Sequence, residues 1–325
     1  MASTTTRIRN TLNSLWTKVL DDDKMSGSLG VDGDVLGGFL EKHNIRLVSH
    51  DFEITEVEDS HPPVLFAPCP QHFLDEHPIE PEKCDDPKFG NPFYKFPDYE
   101  AGGTWMEPEE SSLRVARYLE KWAYNGFPRK GTDVVDCLPT KRGITPVRFP
   151  HGLLLGEGLL RSGEKGWKTN IYEYDIGFWG EQHPHIILCS QQSEVGHENC
   201  IMHGELAQLI TAMRNRAHEP EMMESGENGD FEDEEDENEA LFPEGSPLVF
   251  QYEQRFPVVM VSLVGPQHGR IYYACMDGFD VVIRQSPLFS FEKRETAPWD
   301  FFARILLSYP LHEGDKGRLS VPLRV

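Results

Sequence analysis

Apolar positions recur at helical spacing in several stretches and run together or alternate in others, and the two patterns predict an α+β fold. Ile8, Leu12, Leu15, Trp16 and Val19 make one face of a helix over residues 1–20, which Asp21-Asp22-Asp23 ends. A short helix over Asp34 to His43 and a strand around Ile45 to Val48 follow. Glu107 to Asn125 predicts a longer helix, with Pro108 in its first turn and Glu107, Glu109 and Glu110 at the positive end of the dipole. Leu113, Ala116, Leu119, Trp122 and Ala123 form its buried stripe, and Gly126 stops it. Ile171 to Phe178 and His185 to Ser190, separated by Gly180 and Pro184, predict a hairpin. Glu205 to Arg216 is a helix with Leu206, Leu209, Ile210 and Met213 inward. Pro257 to Val264 is almost continuously apolar, as a central strand covered on both faces would be. Strands over Arg270 to Met276 and Val281 to Gln285 are joined at Asp277-Gly278, a hairpin dipeptide. A last helix begins near Pro298. The expected architecture is a mixed, mainly antiparallel sheet with flanking helices.

Two stretches break this pattern. Residues 61–108 hold ten of the 24 prolines, which fix φ and remove donors, so regular strands and helices are not expected there. The same stretch is rich in aromatics, and 61–106 reads as an extended arm packing Phe66, Phe73, Phe89, Phe93, Tyr94 and Phe96 across a neighbouring surface. Glu219 to Glu239 carries twelve acids and no Lys or Arg, a run that repels itself and buries too little apolar surface to order. Residues 218–242 are therefore expected to be a disordered acidic loop. Strand patterns on both sides of it make it an insertion in a single domain over 1–325.

Charge narrows the partners. The net charge is −23, of which the acidic run supplies twelve units, and such a surface disfavours broad binding to nucleic acid or anionic membranes. Residues 121–168 have the opposite sign at +5. Arg129, Lys130, Lys141 and Arg142 within them are candidate anion ligands, and nucleic acid is expected only through this segment. No stretch approaches 18 apolar residues, so no membrane span is expected. Six cysteines form no CxxC pair and no signal peptide precedes them, which points to reduced thiols in the cytoplasm or nucleus. Residues 1–20 are basic, rich in Ser and Thr and free of acids, so mitochondrial import is the minor alternative.

The segment FPVVMVSLVGPQHGRIYYACMDGFDVVIRQSPLFSFEKRETAPWDFFARILLSYP, Phe256 to Pro310, resembles proteins of filamentous fungi. The resemblance implies a fungal, intracellular origin and brings no activity or site residues with it.

Chemistry has three candidate seats. Phosphate-binding glycine loops and a nucleophile elbow are absent. His183, His185, His197, Cys200, His203 and Glu205 crowd one region and are the donor types zinc takes. Glu157, Glu173, Asp175 and Glu194 lie around the hairpin, as carboxylates do that hold magnesium in nucleases, although the second strand lacks a lysine. Cys200 between His197 and His203 has the makings of a Cys–His pair. Zinc and magnesium are thus the metals to weigh, and a metal-free histidine loop is the simpler reading. A soluble intracellular binding protein with protein partners is the favoured function. A metal-dependent hydrolase or nuclease-like enzyme, active or degenerate, is the alternative.

Overall fold

The computed structural model describes residues 3–30, 32–53, 62–80, 96–100, 107–133, 135–163, 165–222 and 245–312. The chain opens with α1 (Thr4–Val19), α2 (Asp22–Ser26), α3 (Gly37–Lys42) and β1 (Ile45–Ser49). Next come β2 (Phe66–Ala67), α4 (Gln71–Glu76), α5 (Pro108–Glu120), α6 (Leu138–Lys141) and β3 (Ile144–Pro146). Then follow β4 (Trp167–Tyr174), α7 (Ile176–Trp179), β5 (Ile186–Val195) and α8 (His203–Ala217). The rest is β6 (Val258–Gly265), β7 (His268–Asp277), β8 (Asp280–Gln285), β9 (Phe289–Ser290), α9 (Trp299–Leu306) and β10 (Tyr309–Pro310).

One sheet runs in the order β1-β8-β7-β6-β5-β4-β3, with β9 beside β7. The β1/β8 and β5/β6 pairs are parallel and the others antiparallel. This is the expected α+β architecture. Its layers follow from strand alternation. Val258 and Met260 of β6 point into a core shared with α1 and α8, whereas Val259, Val261 and Leu263 point into one shared with α5 and α9. Helices on both faces explain why β6 reads as an unbroken apolar run. Gly278, at φ +62°, makes the tight turn between β7 and β8, where Asp277 faces Asp280. No helix among the described residues is long and apolar enough to cross a membrane.

α8 is buried on nearly its whole circumference because α1 covers its outer side. Arg9 of α1 secures this packing by donating to Ala217 O at 2.6 Å and Phe250 O at 2.7 Å. Gly204 lets α8 approach β5: a Cβ there would fall 2.2 Å from Gln192 Oε1 and 2.9 Å from the Trp167 ring.

Three expectations are corrected. The inward face of α5 is Ser111, Ser112, Val115, Ala116, Tyr118 and Leu119, while Leu113 and Trp122 are only half-buried. Two things turn the stripe: Ser112 is at home inside because its hydroxyl donates to Gln192 O at 2.6 Å, and the helix widens to a π turn over Lys121–Asn125. Trp122 then reaches sideways to Asp300, Nε1 to Oδ1 at 2.8 Å. The first hairpin strand ends at Tyr174, and Ile176 to Phe178 belong to α7 instead. The proline-rich stretch does contain regular structure: Pro70 sits at the N-cap of α4, where a missing N–H costs nothing, and β2 pairs with β10. Phe66, Phe73 and Phe96 are buried. Phe89, Phe93 and Tyr94 lie outside the described residues.

Most of the expected acidic loop, residues 223–244, also lies outside them. Its two ends are held together, however. Pro220 bridges Leu248, Glu221 N donates to Pro247 O at 2.8 Å, and Val249 N donates to Glu219 O at 3.0 Å. This clamp is made without 223–244. Replacing those residues by a short Gly/Ser link should therefore shift the thermal midpoint by less than about 3 °C, under about 1 kcal/mol for a chain this size. A fall above about 8 °C in a melting curve would show that the segment packs.

Candidate functional site

The site that the fold assembles lies where β4, β5 and the end of the described chain meet. Asp175 caps α7, accepting from Phe178 N at 2.9 Å, and Gly180 at φ +79° ends it. The chain then passes through Glu181, His183 and His185 into β5. From the other side, β10 lies antiparallel on β2, and Leu311 N donates to Leu65 O at 2.9 Å. That places His312 against His183, ring centroids 5.2 Å apart, with its Nε2 3.6 Å from Glu181 Oε1. One donor atom each from Glu181, His183 and His312 lies within 4.8 Å of the others. The proline-rich stretch is thus structural support for the site: β2 is what positions the C-terminal histidine.

His183 is the unusual member. It is 3% exposed, walled edge-on by Tyr174 and Trp179, and neither ring nitrogen has a hydrogen-bond partner. Leaving a buried donor and acceptor unmade costs about 1–3 kcal/mol each. Burial, then the neighbouring His312, pulls its pKa down to about 4, so the ring is neutral with a free lone pair at neutral pH. Arg216 fixes its backbone, Nη2 to His183 O at 3.1 Å. His185 is equally buried and likewise pushed down by burial. Its Nε2 bonds Leu311 O at 3.1 Å, next to His312, while its Nδ1 is unpartnered. Beside these rings opens a cleft of about 510 Å³, lined in part by Leu65, His185, Tyr252, Arg255 and His312.

The rest of the expected zinc set is dispersed into structural duties. Glu205 is fully buried at the third position of α8, where it accepts from Met202 N at 2.9 Å, from Tyr272 Oη at 2.7 Å and from Arg270 Nε at 2.8 Å. It is a capping-box acid neutralised by a buried arginine. His203 bonds Val19 O through Nε2 at 2.7 Å, and His197 Nδ1 lies 2.9 Å from Asp34 Oδ2. Burial raises the Cys200 thiol, so the structure does not place an activated Cys–His pair there.

The hairpin acids do not converge either. Glu173 binds Arg216 and His151, Asp175 is spent on its cap, Glu194 lies 3.6 Å from Lys165, and Glu157 is exposed. Among the candidate anion ligands, Arg129 is buried and donates to His77 O and Trp122 O, both at 2.8 Å; burial pulls its pKa down to about 10. Arg142 lies over the Phe73 and Tyr309 rings, Lys141 pairs with Asp136, and Lys130 is exposed. Glu181 and His312 were missed by sequence reasoning. Glu181-x-His183-x-His185 was visible as a donor run, whereas His312 stands alone and only the β2/β10 pairing brings it in. No family model, no curated protein and no solved structure matches this chain.

Proposed function

We propose that this is a binding protein whose ligand includes one divalent transition metal of the zinc class, held by Glu181, His183 and His312. The observation that carries the reading is His183: buried, neutral, both nitrogens unpartnered, and packed against a second histidine and a carboxylate. Two imidazoles and one carboxylate suit zinc, iron or nickel and not magnesium, which keeps to oxygen. Tetrahedral bonds of about 2.1 Å put donors roughly 3.4 Å apart. The 3.6 Å between Glu181 and His312 already matches, and both exposed side chains stand beside the buried His183. Three protein donors leave room for a further ligand from the adjoining cleft, where the metal would supply Lewis acidity. A hydrolase reading gains support only through this same centre, since Glu173, Asp175 and Glu194 are otherwise engaged and Glu157 is exposed. The five free cysteines among the described residues support a reducing compartment, cytoplasm or nucleus.

Untagged protein should take up close to one zinc or cobalt per chain, read by elemental analysis and by the visible absorption of the cobalt form. Glu181→Gln/His312→Ala, exposed changes that leave the core intact, should abolish uptake, and His197→Ala/Cys200→Ser should not. Wild-type protein that takes up no metal, or full uptake by the Glu181/His312 variant, would refute the assignment.

A further inference from the structure

A second cleft, of about 500 Å³, lies where α1, α2 and α3 meet. Lys18 of α1, Lys24 of α2 and Lys42 of α3 line it together with Leu36 and Phe39. Leu36 is 48% exposed, a large side chain left open to the cavity. Gly27 and Gly38 also line it, and a Cβ on either would meet nothing within 4 Å. Volume in this range is that of small-molecule pockets.

The charge is out of character for a chain of net −23. Lys24 pairs with Asp21, but no ion pair to Lys18 or Lys42 is present among the described residues. His43 lines the same cleft, and its pKa is lowered by burial first and then by Lys18 and Lys42. Each lysine sits near the C-terminal end of its helix, where a cation complements the dipole. That explains the sign of each charge. It does not explain why three of them surround a cavity with apolar walls, and a free inorganic anion would gain nothing from Leu36 or Phe39.

We propose that this cleft binds a single-chain amphiphile with an anionic head, an alkyl carboxylate, its chain on Leu36 and Phe39 and its head between Lys18 and Lys42. Apolar burial would supply affinity, and charge-assisted hydrogen bonds from the lysines would fix the orientation. The site is separate from the proposed metal centre and does not depend on it.

The probe is decanoate, titrated calorimetrically into the full chain against decanol, decyltrimethylammonium and inorganic phosphate. Decanoate should bind saturably at one site. The Lys18→Gln/Lys42→Gln variant should weaken it about tenfold or more, the scale of losing charged hydrogen bonds. Leu36→Ser should weaken it too, and Glu181→Gln/His312→Ala should bind as the wild type does. Decanol binding as tightly as decanoate, phosphate matching decanoate, or an unchanged lysine variant would each overturn the proposal. These substitutions are at exposed or partly exposed positions, and an unchanged melting curve separates loss of binding from loss of fold.

Discussion

Replacing Arg270 by alanine should cost about 3–5 kcal/mol of unfolding free energy, the range for stranding one member of a buried ion pair. Arg270 and Glu205 are both fully buried between β7 and α8. Besides Glu205, the guanidinium donates to His197 O at 2.7 Å and Cys200 O at 2.8 Å, so it also ties down the turn before α8. Without it, Glu205 keeps only Met202 N and Tyr272 Oη for its buried charge. Urea unfolding of Arg270→Ala, Glu205→Ala and the double variant Glu205→Leu/Arg270→Met measures the pair. The double variant should lose clearly less than the sum of the single losses, since no lone charge is left behind. A loss below about 1 kcal/mol for Arg270→Ala would mean that the acid finds water or a proton, contrary to its burial.

Arg216→Ala should be comparably severe, about 3 kcal/mol or more. This arginine is 1% exposed and joins Glu219 at 2.6 Å, Glu173 at 3.0 Å and the His183 carbonyl. His151 completes the cluster, Nε2 to Glu173 Oε1 at 3.0 Å. Its pH dependence has a definite sign. Burial opposes charge on His151, but the hydrogen bond and charge of Glu173, then Glu219, outweigh it and raise its pKa above 6.5. A raised histidine contributes stability that is complete below about pH 6.5 and is lost as pH climbs through the folded value. For Glu173, burial pushes up but His151 and Arg216 pull further down, so its contribution is present above about pH 4.5 and lost on acidification. The cluster should therefore stabilise most between about pH 4.5 and 6.5. Relative to the wild type, His151→Gln should be less stable at pH 5.5 and close to equal at pH 8.5. A deficit of the same size at both values would show that the ring contributes packing and not charge.

What could be read from the chain follows its physics. The β6 strand was legible because both its faces are apolar, and the β7/β8 hairpin because Gly278 needs a positive φ. The phase of α5 was not, since periodicity counts apolar residues and the helix instead buries Ser111 and Ser112. Glu205 looked like a metal donor among histidines; its position three residues after the N-cap, and the charged Arg270 inside an otherwise apolar strand, were the clues to an internal pair. In the same way, Arg129 and Arg142 counted as surface charge although their guanidinium groups bond backbone carbonyls. His183 and His185 stood out by spacing. His312 could not, because its neighbours come from residues 181–185 and from β2, far away in sequence.

The edge pairing of β1 on β8 sets the order in which this molecule can be finished. Arg46 meets Asp277 at a separation of 231 positions along the chain, and Ile45 pairs with Val281. During synthesis, β1 has no partner until β8 has left the ribosome, and the stripe of Ile8, Leu12, Leu15 and Val19 stays uncovered until α8 and the strands beneath it exist. Closing so long a loop is entropically slow, and apolar surface left waiting is open to self-association. α1 and β1 thus settle only once the chain through β8 has emerged, and chaperone capture of nascent chains should concentrate on α1.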